Sequence, residues 1–347
     1  MLKRNTKLEI SRWLPLIALA VFIALPLVAN QPYFLHILIL TFYMATGSMA
    51  WSILGGMTGQ NSMGHAAFMA MGAYASVLFT DRAGVTPWLT LPIAMLFTGI
   101  VALVVFYPCF ILRGPYFTLV TIALGETFRN FMINWEYGGR NNGILLPFGE
   151  DSWAFFRFFG KRPYYYVGLG MVLIVYLFMR KLNQSKLGFA LKTIRENEDV
   201  AATIGINPMK YKLIAVFLST MIMAMTGFFY AQYIRYIDPA IAMQTYSVEF
   251  VLPAIIGGIQ FVNGPIIGAL ILVPLSEILR AQLGNTLPGI NLIAYAIAMI
   301  LIIRFMPSGL LGWYGGSKLK KHVDKLLRPG KALLAGVSEG EGGGKSE

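Results

Sequence analysis

The chain has 347 residues, of which 56% are apolar and only 13% charged, and its mean hydropathy is +0.63. A soluble domain carries about 25% charged residues, so this composition excludes an ordinary soluble protein and points to one solvated by lipid. The formal net charge of +12 is concentrated at the ends of apolar runs and in the termini, the pattern of a cytoplasmic Lys/Arg excess and not of a nucleic-acid surface.

A bilayer core about 30 Å thick needs about 20 residues of apolar helix. The first such run, 13–30, follows Lys3, Arg4, Lys7 and Arg12. No small-residue cleavage site follows it, so it reads as a retained membrane helix and not a signal peptide. Further runs cover 33–54, 61–79, 88–111, 116–134, 163–180, 211–234, 248–262, 265–283 and 289–306. The short 248–262 run contains Pro253 and the Gly257-Gly258 pair and reads either as a crossing or as a re-entrant element. The expected fold is therefore an all-α polytopic integral membrane helical bundle of about ten (8–10) transmembrane helices. Counting from a basic N-terminus places the 181–210 loop and the C-terminus on the cytoplasmic side, where the basic residues of 180–212 and of Lys318 to Lys331 lie. Residues 1–312, including the 181–210 loop, form one membrane domain. Residues 313–347 form a cytoplasmic tail, basic and then glycine-rich.

Within the second and third runs, residues 55–69 read GGMTGQNSMGHAAFM. Met57 is the only strong hydrophobe from Gly55 to Ser62, so the backbone is expected to leave the helix there and to resume it from about Asn61. Asn61, His65, Gly72 and Ser76 are then spaced to share one helix face. Such a face must pack on protein or meet water, since lipid offers no partners. Two readings stay open: close packing with hydrogen bonds across helices, or a border of a translocation path formed by Gln60, Asn61 and His65.

Glu126 and Arg129, three residues apart in the 116–134 run, can pair with each other, and ionisable groups at that depth are candidates for the path. Glu249, at the mouth of the 248–262 element, is a third. Gly114-Pro115 followed by Glu126 and Arg129 is echoed by Gly264-Pro265 followed by Glu277 and Arg280, as in transporters built from parallel repeats.

The segment 185–207 carries Leu187, Leu191 and Ile194 at helical spacing, and Asp199 to Gly205 reads as a second short helix closed by glycine. Two short amphipathic helices without a core of their own make a docking element. Nothing in the sequence reads as an enzyme. His36, His65 and His322 are scattered, the single Cys109 offers no Cys-based metal site, and no cofactor motif is present. The tail sequence Gly340 to Ser346 imitates a phosphate loop, but Glu339 stands where the first glycine is required.

Thr58-Gly59-Gln60-Asn61-Ser62-Met63-Gly64-His65-Ala66-Ala67-Phe68, with Gly72-Ala73-Tyr74 after it, resembles the signature of permease subunits in bacterial branched-chain amino acid ABC importers, the LivM-like group. The resemblance continues through Leu112 to Phe117, Arg195 to Glu198, Ala201-Ala202, Gly205-Ile206, Gly257-Gly258 and Gly264 to Ala269, and covers roughly residues 35–312. It implies a multi-pass bacterial inner-membrane subunit that imports branched-chain or other neutral amino acids. It also implies a second permease subunit, two cytoplasmic ATPase subunits that hydrolyse the ATP, and a periplasmic substrate-binding protein. Asp199, Ala201 and Gly205 are similar to the coupling motif of ABC importers, which puts Arg195, Glu196, Glu198, Asp199, Ala201 and Gly205 in the ATPase-coupling loop. On that basis, lysine at 198 and 199 is expected to uncouple or release the ATPases while the permease stays folded. Phe189, Asn263 and Ser308 depart from the group's pattern. Permeases for urea or short amides therefore remain an alternative, as does a secondary transporter or channel.

Overall fold

Proline opens four of the long helices in the computed structural model, which describes residues 19–27, 31–147, 150–283, 290–306 and 308–316. In chain order these helices are α1 (helical at 19–27), α2 (Pro32–Thr58), α3 (His65–Ala83), α4 (Pro87–Cys109), α5 (Pro115–Asn134) and α6 (Lys161–Gln184), then α7 (Lys186–Glu196), α8 (Glu198–Thr203), α9 (Pro208–Ile234), α10 (Gln244–Gly257), α11 (Gly264–Leu283), α12 (Ile290–Phe305) and α13 (Gly309–Gly316). Pro32, Pro87, Pro115 and Pro208 each stand in the first turn, where a missing N–H costs nothing and φ is already helical. The basic start of the chain and the tail from residue 317 onward lie outside the described residues.

Among the described residues five helices, α2, α4, α6, α9 and α11, are long and apolar enough to cross a membrane. The chain is an all-α polytopic membrane bundle with one small exception. On the loop between α5 and α6, β1 (Ile144–Leu145) pairs antiparallel with β2 (Tyr236–Ile237), with Ile144 opposite Ile237 and Leu145 opposite Tyr236. This ribbon ties the loop to the end of α9, a contact that hydropathy does not announce.

α9 packs against α2, α3 and α4, and α2 also packs against α6, α10 and α11. α2 is accordingly buried along nearly all of its length, whereas α4 and α11 leave most of their surface to lipid. The α3–α9 crossing is close because glycine faces backbone. A Cβ on Gly72 would collide with Ala224 of α9, and one on Gly227 with the Met69 carbonyl of α3. Both helices of the internal echo, α5 and α11, have 20 residues. Each carries its ion pair, Arg129–Glu126 at 2.8 Å and Arg280–Glu277 at 3.5 Å.

Candidate translocation and coupling site

The break within residues 55–69 lies about four residues later than the sequence suggests. α2 continues through Gly55, Gly56 and Met57 and stops at Gly59, whose φ of 73° is left-handed, a conformation glycine adopts without cost. Residues 59–64 are non-helical, and the helix resumes at His65 and not at Asn61. The apolar surroundings of residues 55–58 keep the helix wound, since an unwound backbone there would bury unpaired polar groups.

Four side chains from three helices supply partners for the backbone at the break. Trp51 Nε1 donates to the Ser62 carbonyl at 2.8 Å, and Thr118 Oγ1 donates to the Asn61 carbonyl at 2.8 Å. Met63 N–H donates to Thr121 Oγ1 at 3.0 Å, and Ala66 N–H to Ser247 Oγ at 2.9 Å. The break is thus clamped by α2, α5 and α10, and Thr118, Thr121 and Ser247 are functional partners the sequence reading missed. A threonine or serine in an apolar helix announces no particular partner, so no sequence signal separated them from their neighbours.

His65 is fully buried. Ser219 Oγ gives its single hydrogen to the Ala50 carbonyl at 2.6 Å, so the 2.8 Å contact between His65 Nε2 and Ser219 Oγ has the imidazole N–H as donor. That assigns the Nε2–H tautomer and leaves Nδ1 without a hydrogen-bond partner. With Gly72 and Ser76, also buried, His65 forms the stripe that meets α9. The contact with Ser219 is a hydrogen bond across helices of the kind the packing reading expects. Asn61, by contrast, is exposed and outside the helix, and Gln60 is half-buried beside it. We expect His65→Gln, which keeps a donor toward Ser219, to lower thermal stability in detergent by a few degrees. The uptake KM should stay within about twofold of wild type, because a packing residue acts on the fold and not on uniform substrate binding.

Glu126 and Arg129 are partly exposed on α5, and Glu249 is exposed on α10. Thr127, Asn130 and Asn134 of α5 and Gln244 and Thr245 of α10 are exposed as well, and the two helices pack together. α5 and α10 thus each present an exposed polar strip, with Glu126 and Arg129 on the first and Glu249 on the second, and the fully buried His65 belongs to neither.

The coupling segment folds as two capped helices. Ser185 Oγ accepts from Gly188 N–H at 3.2 Å to start α7, and Asn197 Oδ1 accepts from Asp199 and Val200 N–H at 2.9 and 3.1 Å to start α8. Arg195 of α7 reaches back to α2, its Nη1 donating to the Gly56 carbonyl at 2.9 Å. A cation on the last carbonyls of α2 also complements the negative end of that helix. A Cβ on Gly59 would come within 3.2 Å of Arg195 Cγ, so the arginine lies directly on the break.

The two acidic residues of α8 differ: Glu198 turns inward and Asp199 stays at the surface. Glu198 pairs with Lys212 of α9 at 2.6 Å, and the lysine side chain is only 1% exposed. Lys212 also lies 5.9 Å from the Phe110 ring centroid. Asp199 takes both ends of the Arg113 guanidinium, at 3.1 and 3.3 Å, on the α4–α5 turn. Ala201 is buried and Gly205, at φ 86°, closes the helix. The expectation that lysine at 198 and 199 leaves the permease folded is corrected by this geometry, because Glu198 is the partner of a buried cation. Lys212, read with the basic loop residues, is a buried member of α9. The element offers outward Phe189, Val200 and Ile204, 68%, 53% and 62% exposed, flanked by the exposed Lys186, Lys192, Glu196 and Asp199.

A bundle with spanning helices, a clamped helix break and a tied amphipathic element at one end defines a polytopic membrane transport subunit. The family model described as branched-chain amino acid transport system / permease component matches residues 33–306, and the chain belongs to that family. It is 27% identical to the high-affinity branched-chain amino acid transport system permease protein LivM of Escherichia coli K12, over 86% of this chain and 73% of the relative. The LivM protein of Salmonella typhimurium is 26% identical over the same shares. A probable branched-chain amino acid transport permease protein LivH of Methanocaldococcus jannaschii is 25% identical over 71% of this chain and 81% of its own length. No solved structure matches.

Proposed function

We propose that the chain is the permease component of an ATP-driven importer of branched-chain amino acids in a bacterial inner membrane. The family match across residues 33–306 carries this reading. The chain itself is not an enzyme. ATP hydrolysis falls to two cytoplasmic ATPase subunits, a second permease subunit completes the path, and a periplasmic binding protein delivers the substrate. About ten crossings with both termini cytoplasmic accord with the ten helical stretches outside α7, α8 and the short α13, and with the basic residues of 180–212.

The polar strips of α5 and α10 face the second permease subunit, since lipid would leave Glu249 and the exposed amides and hydroxyls of the two helices without partners. Gln60 and Asn61 stand at their cytoplasmic mouth. The ATPases bind the apolar surface of α7 and α8, and Arg195, Glu198 and Asp199 fix that element to α2, α9 and the α4–α5 turn. When the nucleotide state changes the ATPase contacts, the shift in α7 and α8 is felt at the break, and the path opens alternately to each side.

The test is uptake by proteoliposomes that contain the complete complex with its binding protein. ATP-dependent accumulation of L-leucine or L-valine, not replaced by an ion gradient, is expected. Uptake of urea alone, or uptake that persists without ATP, would refute the assignment.

A further inference from the structure

The end of the bundle opposite the coupling helices holds a cavity of about 120 Å³ that the mechanism above does not use. The 27 residues of α9 separate the two ends by about 40 Å of helix. At ~30 Å³ per water the cavity has room for about four waters, or for one small polar molecule. None of its lining residues belongs to the α5 and α10 strips.

Its lining is chemically specific. Gln232 is 1% exposed, lines the cavity, and its Nε2 has no hydrogen-bond partner. A buried amide donor without an acceptor marks a place where an acceptor belongs. Asp81 and Arg157 both line the same cavity, and neither forms an ion pair among the described residues. Arg235, a second cation of the lining, is anchored through Nη2 to the Pro147 carbonyl. Val77 and Leu146 supply apolar wall.

One carboxylate, two guanidiniums of which Arg235 is anchored to the Pro147 carbonyl, and an amide with an unpartnered Nε2 around a small half-apolar space match a molecule with an ammonium, a carboxylate and an apolar side chain. We propose that this cavity is an outer subsite for the zwitterionic head of an amino acid. Asp81 takes the ammonium, Arg157 and Gln232 take the carboxylate, and the side chain lies on Val77 and Leu146. The proposal rests on the reading of the chain as an amino acid permease and adds where, within this one subunit, the substrate is held on the outer side.

Leu145, 65% exposed on the rim, gives a reporter. The native Cys109 is buried, so Leu145→Cys gives this subunit one accessible thiol, whose labelling in the assembled transporter is read on this subunit's band against wild type. L-leucine is expected to slow its labelling by a small charged thiol reagent at least about fivefold. Isovalerate, which lacks the amine, and isoamylamine, which lacks the carboxylate, should each slow it less than about twofold, because a site built for polar groups rejects analogues that leave them unpaired. Asp81→Asn and Gln232→Leu should each raise the half-protecting concentration of L-leucine about tenfold, with ATPase co-purification checking that each variant assembles. No protection by L-leucine, or equal protection by isovalerate, overturns the subsite. Uptake by the wild-type complex is measured in parallel. If L-leucine is imported but does not protect, the subsite fails and the permease reading stands; if no amino acid is imported, both fail.

Discussion

Glu198→Ala is expected to destabilise the permease by about 3–5 kcal/mol, because removal of one partner strands a buried charge. Lys212 is 1% exposed and its ammonium meets Glu198 at 2.6 Å. The Phe110 face, 5.9 Å away, cannot replace a carboxylate. The loss should show as a lower yield of monodisperse protein and an earlier unfolding midpoint, with loss of ATPase binding as a consequence and not the cause. The double variant Glu198→Leu with Lys212→Met is expected to recover most of the stability, since an apolar pair of similar volume avoids the desolvation of two charges. A folded, stable Glu198→Ala permease would contradict this role. Asp199→Ala should cost far less, because Asp199 and Arg113 are 75% and 64% exposed and the pair is screened by solvent.

Most helices were legible because apolar runs bounded by proline and glycine leave few alternatives in a lipid solvent. The runs from 33–54 onward and the two amphipathic segments reappear as helices with boundaries shifted by a few residues, and the first run is described only at 19–27. Local chemistry does not reveal partners, and there the reading fell short. Glu198 and Asp199 sit at a helix start, where acidic residues are favourable in any solvated helix, and only the fold shows that they point toward Lys212 and Arg113. Lys212 stands one turn inside an apolar helix, a signal that could have separated it from the loop lysines. Gly55 and Gly56 look like unwinding residues, yet a Cβ on Gly55 would collide with the Trp51 ring and one on Gly56 would come within 3.0 Å of the Ile259 carbonyl. They are close-packing residues inside α2. The β1–β2 ribbon, two residues on each side, is too short for alternation to register.

The largest functional effect is expected at Arg195. Its side chain is the direct hydrogen bond from α7 to the last turn of α2, and it covers the left-handed Gly59 where that helix ends. The break beyond it is held by threonine and serine hydroxyls of α5 and α10, the same helices that carry the exposed polar strips. A push on α7 therefore reaches the strips through one guanidinium and a short run of clamped backbone. Arg195→Gln shortens the side chain and removes the charge. The buried face of α7, Leu191 and Ile194, and the outward Phe189, Val200 and Ile204 all remain, so ATPase subunits should still bind. The most direct measurement is the ratio of L-leucine imported to ATP hydrolysed by reconstituted complexes with Arg195→Gln beside wild type. The account predicts that hydrolysis continues within about twofold while the ratio falls at least about tenfold, the loss of a coupling of roughly 1.4 kcal/mol or more. A wild-type ratio in a fully assembled Arg195→Gln complex would contradict it.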